Sequence, residues 1–214
     1  MSRATLLVVV AAFLVAGCSS GRDDPGPPEA AVPDPETVLV IGSGSSEGSE
    51  LRDPLREAWP RLVFAESLTR PATLVSGASG PATVSDALAF QLPLAREVEP
   101  DWVLVMLGSY DLNRETPPEV FGSQLRELLA ALDAAAGGRV LVADLPALPA
   151  YGDAARRAYN DEIAAAVSEA GATLVSLANE TLEPVDDEHD YQPNAAGHRV
   201  IADAFGAVIH ELGT

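Results

Sequence analysis

The stretch ETVLVIGSGSSEGSE, Glu36 to Glu50, sets the reading of the whole chain. Val38, Leu39, Val40 and Ile41 are consecutive apolar residues with no polar alternation, the pattern of a strand buried on both faces. Gly42 then opens a run of glycines, serines and acids that can only be a turn. A strand of this kind belongs in a parallel sheet covered by helices on both sides. In such sheets the chemistry lies beyond the C-terminal ends of the strands. The turn after Ile41 is therefore the first place to look for function.

The same unit recurs along the chain. Apolar strands are predicted at Thr73–Val75, Trp102–Leu107, Arg139–Ala143 and Ala172–Ser176. Helices are predicted between them at Pro60–Leu68, Val84–Val98 with Pro93 as a kink, Pro117–Ala136, Asp153–Ala170, and from the N-cap residue Asn194 onward. Alternating strands and helices give an α/β fold, a three-layer α/β/α sandwich on a five-stranded parallel sheet of flavodoxin-like type. The turns that could carry a site are then Gly42–Gly48, Ser76–Pro81, Gly108–Asn113, Leu145–Gly152 and the long loop Ala178–Pro193.

Ahead of the first strand, residues 1–17 read as a signal peptide: Arg3, an apolar run too short to span a bilayer, and small residues before Cys18. Val15-Ala16-Gly17-Cys18 resembles a bacterial lipobox, which implies lipidation of Cys18, the only cysteine in 214 residues. Residues 18–36 then form a proline-rich acidic linker that cannot bury a core. This gives a globular domain at 37–214, anchored to the outer face of the cell membrane as a lipoprotein. The formal net charge of -19, with no lysine, excludes nucleic acid as a partner.

The turns come in the order of the conserved blocks of the SGNH/GDSL hydrolase family, which the chain resembles over about Thr37 to Gly213. VLVIGSGSSEG resembles the Gly-Asp-Ser block, LVSGASGPAT the block that supplies a glycine N–H, and DWVLVMLGSYDL the Gly-x-Asn-Asp block. PNAAGHRVIADAF resembles the tail of the last block, just after its Asp-x-x-His. The resemblance implies a serine ester hydrolase scaffold, in which a histidine activates the serine and preplaced donors hold the oxyanion. An ungapped register puts Ser43 at the aspartate, Gly44 at the nucleophile, Gly77 at the oxyanion glycine, Tyr110 at the asparagine, His189 at the aspartate and Gln192 at the histidine. Asp111 is retained and is expected to hold its turn.

Three readings are open, the third being a structural partner for another envelope protein. In the first, the chain is a catalytically degenerate, ligand-binding member whose pocket lies over Gly44, Gly77, Tyr110 and Gln192. In the second it is an active esterase, lipase or acyl transferase in which Ser45 or Ser46 works with His189 and Asp186, themselves an Asp-x-x-His three residues early. In the first reading, Ser43, Ser45 and Ser46 are turn residues that satisfy helix-start N–H groups. His198 is expected to be a surface or capping residue of the last helix, and His210 to be exposed. The expected ligand is a small ester, acyl group or glycan and the expected state is a monomer. No cofactor or metal is expected: Gly42-Ser43-Gly44 lacks the lysine of a phosphate loop and the third glycine of a dinucleotide fingerprint, and the acids around His189 have no ion-specific spacing.

Overall fold

The computed structural model describes residues 34–136, 139–189 and 191–213. Cys18, the signal segment and the linker up to residue 33 lie outside them. The elements run β1 (Glu36–Gly42), α1 (Gly44–Glu47), α2 (Pro54–Glu57), α3 (Trp59–Glu66), β2 (Ala72–Ser76) and α4 (Val84–Asp86). A π-helical turn (Ala87–Gln91) leads into α5 (Leu92–Val98), followed by β3 (Trp102–Met106), α6 (Ser109–Asn113) and α7 (Pro118–Ala136). The chain closes with β4 (Val140–Ala143), α8 (Asp153–Ala170), β5 (Thr173–Val175) and α9 (Ala195–Leu212). The five strands are all parallel, in the order β2-β1-β3-β4-β5. No helix among the described residues is long and apolar enough to cross a membrane.

Strand residues feed two cores in alternation, because successive side chains leave a strand on opposite faces. Leu39, Ile41, Val103, Val105, Val140 and Val142 pack with α7 and α8 through Phe121, Leu125, Leu128, Tyr159 and Ile163. Val38, Val40, Leu104, Met106 and Leu141 point the other way, onto Trp59 and Leu62 of α3 and Ile201, Phe205 and Ile209 of α9. Each such aliphatic side chain contributes about 1.5–3 kcal/mol when fully buried. Trp59 and Phe205 stack at 4.5 Å with ring planes 6° apart, which locks α3 to α9.

Two local readings change. The single helix expected over 84–98 is interrupted by the π-helical turn, and Pro93 lies in the first turn of α5, where its missing N–H is harmless. Asn194 does cap α9, its Oδ1 accepting from Gly197 N–H at 3.0 Å. One turn later, His198 is not a surface residue. It is 1 % exposed, and its Nδ1 accepts the N–H of Trp59 at 3.1 Å. The ring is thus a buried acceptor joining α9 to the start of α3.

Burial lowers the pKa of His198 to about 4. The unfolded chain binds this proton near pH 6.5 and the folded chain does not, so stability is lost as pH falls from 6.5 toward 4. The shift corresponds to about 3 kcal/mol. Urea unfolding at pH 7 and pH 4 should show that much less acid destabilisation in His198→Asn, whose amide oxygen can still accept from Trp59.

Candidate functional site

The turn after β1 is held from beneath by one side chain. Gln91 is buried, and its Oε1 accepts Gly42 N–H while its Nε2 donates to Gly42 C=O, both at 2.9 Å. The wide π-helical turn brings Gln91 to that spot; such turns recur at functional sites. Beyond it, Ser43 C=O accepts from Ser46 N–H and Glu47 N–H at 2.9 and 3.1 Å, closing the single turn of α1. Gly48, at φ 71°, ends it.

Gly44 heads that turn, at the place the register gives the nucleophile. A Cβ built there would stand 2.7 Å from Gln192 Nε2 and 3.2 Å from the Tyr110 hydroxyl. Gln192 Nε2 itself donates to Tyr110 OH at 3.3 Å, and Gln192 is 4 % exposed. Tyr110 is braced edge-to-face by Tyr191, with ring centroids 5.8 Å apart. Burial, with Tyr191 and Glu50 nearby, holds its hydroxyl above the ordinary tyrosine pKa. The fold therefore does bring Gly44, Tyr110 and Gln192 together. The pocket expected over them is occupied by the two side chains themselves.

Gly77 is not with them. Its N–H bonds to Val40 C=O at 2.9 Å and continues the sheet ladder. The glycine that meets Gly44 is Gly80, whose added Cβ would lie 3.2 Å from Gly44 Cα. Its N–H, the one that faces this end of the sheet, already donates to Glu47 Oε2 at 3.0 Å. The sequence signal was ambiguous, since Gly77 and Gly80 both lie in LVSGASG and the loop length after β2 decides between them.

The three serines of the turn are buried in different surroundings. Ser43 meets Ser109, Oγ to Oγ at 3.3 Å, and makes no capping bond to α1. Ser45 turns into a void of about 10 Å³ among Met106, Ser109 and Leu145. Ser46 lies beneath Gly42, its Oγ buried with no hydrogen-bond partner among the described residues. His189 is taken on both sides by acids: Nδ1 is 2.8 Å from Asp186 Oδ1 and Nε2 is 3.4 Å from Glu50 Oε2. The Asp186 bond, with the charges of Asp186, Glu50 and Glu188, raises the imidazole pKa. Asp186 and His189 thus form the expected pair, but the second ring nitrogen faces a carboxylate where catalysis needs a hydroxyl. Among the described residues no cluster of acids, histidines or cysteines has metal-site geometry.

The sequence profile of the GDSL-like Lipase/Acylhydrolase family matches residues 39–200. The chain belongs to that family, the SGNH/GDSL hydrolases. An arylesterase from Vibrio mimicus is 30% identical over 119 residues, which is 55% of this chain and 58% of the relative. The chain thus matches little more than half the length of that relative. Among solved structures, TesA superposes with a TM-score of 0.68 at 21% identity, covering 79% of this chain and 95% of that one. The esterase EstA from Pseudoalteromonas gives 0.65 at 20%, covering 83% and 98%. The acetylxylan esterase Axe2 from Geobacillus stearothermophilus gives 0.67 at 19%, covering 83% and 95%. These likenesses establish the fold.

Within that family frame, Asp111 ties the third block to α4. Its carboxylate, 1 % exposed, accepts Val84 N–H at 3.3 and 3.2 Å. Burial outweighs that bond and raises its pKa to about 6. The folded state therefore holds a proton that the unfolded chain gives up near pH 3.8, and stability is lost as pH rises through 6. Asn at 111 keeps an acceptor without the charge. Asp111→Asn should gain about 3 kcal/mol relative to the parent between pH 4 and pH 7, read from paired urea titrations.

Proposed function

We propose that this chain is a catalytically degenerate GDSL-family protein of the cell envelope that binds a ligand without hydrolysing an ester. The observation that carries this is Gly44. The nucleophile position has no hydroxyl, and Gln192 and Tyr110 fill the space that a serine side chain and its histidine would share. A neutral amide cannot take a proton from an alcohol, so the unit lacks attacking group and base together. Removing one member of such a unit already removes most of the rate. The candidate oxyanion donor, Gly80 N–H, is satisfied by Glu47, whose negative charge would repel an oxyanion.

The rim favours a neutral, hydroxyl-bearing ligand such as a glycan over an anion. Glu47, Glu50 and Asp186 offer acceptors, and Tyr110 and Tyr191 offer ring surface. The Vibrio relative's arylesterase name and the acetylxylan esterase among the structural neighbours fit ancestry in ester chemistry on such groups. The opposing reading is hydrolysis by Ser45 or Ser46 with His189. It would require the turn to rotate and His189 to leave Glu50.

A fluorophosphonate probe separates the two. The parent chain and Gly44→Ser should both stay unlabelled, because a serine at 44 still faces Gln192. The quadruple variant Gly44→Ser, Tyr110→Asn, His189→Asp, Gln192→His should become labelled, since it rebuilds nucleophile, base, orienting acid and oxyanion donor on the existing backbone. Labelling of the parent that disappears in His189→Ala would overturn the non-catalytic reading.

The envelope location rests on Cys18 and the apolar run before it. In a bacterial host fed an alkynyl palmitate, the parent chain should take up label and sediment with membranes. Cys18→Ser should do neither.

A further inference from the structure

A second cavity lies at the opposite end of the sheet from Gly44, with a volume of about 460 Å³. It is built from strand beginnings: Glu36 opens β1, Trp102 opens β3, and Arg139 directly precedes β4. Arg70, from the segment before β2, completes the polar wall, and Leu68 with Ile209 of α9 supplies the apolar one. The size is within the range of small-molecule sites.

Its charges are arranged and not balanced. The Glu36 carboxylate, 10 % exposed, accepts Trp102 Nε1–H at 3.3 Å and lies 3.2 Å from Arg70 and 4.0 Å from Arg139. Two guanidinium groups thus share one carboxylate, and each arginine side chain is 47 % exposed toward solvent. Arg139 also lies 4.6 Å over the Trp102 ring, which fixes its plane. Among the described residues the cavity carries one positive charge in excess, on planar donors that are already oriented, beside an indole and an aliphatic wall, in a chain of net charge -19. Guanidinium forks of this kind suit carboxylate and phosphate oxygens.

We propose that this cavity binds a singly charged amphipathic anion. A carboxylate or phosphodiester head would lie between Arg70 and Arg139, with a short apolar body against Trp102, Leu68 and Ile209. Such a head could belong to a fatty acid or to a phospholipid. Arg70 also donates to the carbonyl of Asp34 at 3.0 Å, so the cavity adjoins the point where the preceding chain enters the domain. The site is independent of whether the Gly44 end hydrolyses esters.

The chain has two tryptophans, so Trp59→Phe leaves Trp102 as the only indole and its fluorescence as a direct readout. Full-length protein is titrated with octanoate, dioctanoyl phosphatidylglycerol below its micelle concentration, glycerol 1-phosphate and octyl glucoside. If Trp59→Phe fails to fold, ligand-observed NMR on the parent replaces fluorescence. Saturable binding of octanoate or of the short phosphatidylglycerol is expected, weakened about tenfold or more by Arg70→Gln and by Arg139→Gln. Octanoate alone would mark a fatty-acid site, and the phospholipid alone a headgroup site. No binding of either overturns the proposal. So does equal binding of octyl glucoside or glycerol 1-phosphate, or binding that both arginine variants leave unchanged while still folded.

Discussion

Burial of the three central strands on both faces is the constraint that organises everything else. Leu39, Ile41, Val103, Val105 and Val142 need a helical layer on one side, and Val38, Val40, Leu104 and Leu141 need another on the opposite side. Only crossover helices supply both, and they make the strands parallel. Parallel strands put all their C-terminal turns at one edge. Gly44, Gly80, Tyr110 and Gln192 meet there because their turns all lie at that edge, and the Gln192–Tyr110 hydrogen bond joins two of them.

At that edge the turns are held by contacts to backbone groups. The clamp of Gln91 on Gly42 and the bond from Val84 to Asp111 hold the turns. They act on backbone groups and are indifferent to the side chain at 44. Gly44, Tyr110 and Gln192 fit one another: with no side chain at 44, the Gln192 amide lies against that position and bonds the Tyr110 hydroxyl. A side chain at Gly44 would collide with Gln192, so the two positions are coupled by volume. The other end of the sheet is a different chemical environment, cationic and partly apolar, made by residues that precede their strands.

Strands and helices were legible because their hydrophobic periods are strong. The π-helical turn was not: it inserts a residue in a helix without changing which residues are apolar, so the sequence shows only Pro93 nearby. His198 was misplaced for a related reason. One polar residue on an apolar helical face looks exposed until its partner is known, and that partner, Trp59 N–H, is 139 positions away. Ser43 was expected to cap α1 from its residue type, but the neighbouring Ser109 hydroxyl, from a different turn, takes its oxygen instead.

Fold class and family frame were readable in the amino-acid order, because both depend on local periodicity and on short blocks in fixed succession. So were Gly44, Tyr110 and Gln192, three positions that prove to be neighbours. Three-dimensional packing was needed to show that Gly80 and not Gly77 faces Gly44. It was needed as well to show that Glu47 accepts the Gly80 N–H, that Glu50 faces the His189 ring, and that Ser45 and Ser46 are buried in their turn. Those outcomes depend on loop path and side-chain direction, where a shift of one residue reorients a hydroxyl completely and leaves the pattern of the sequence unchanged.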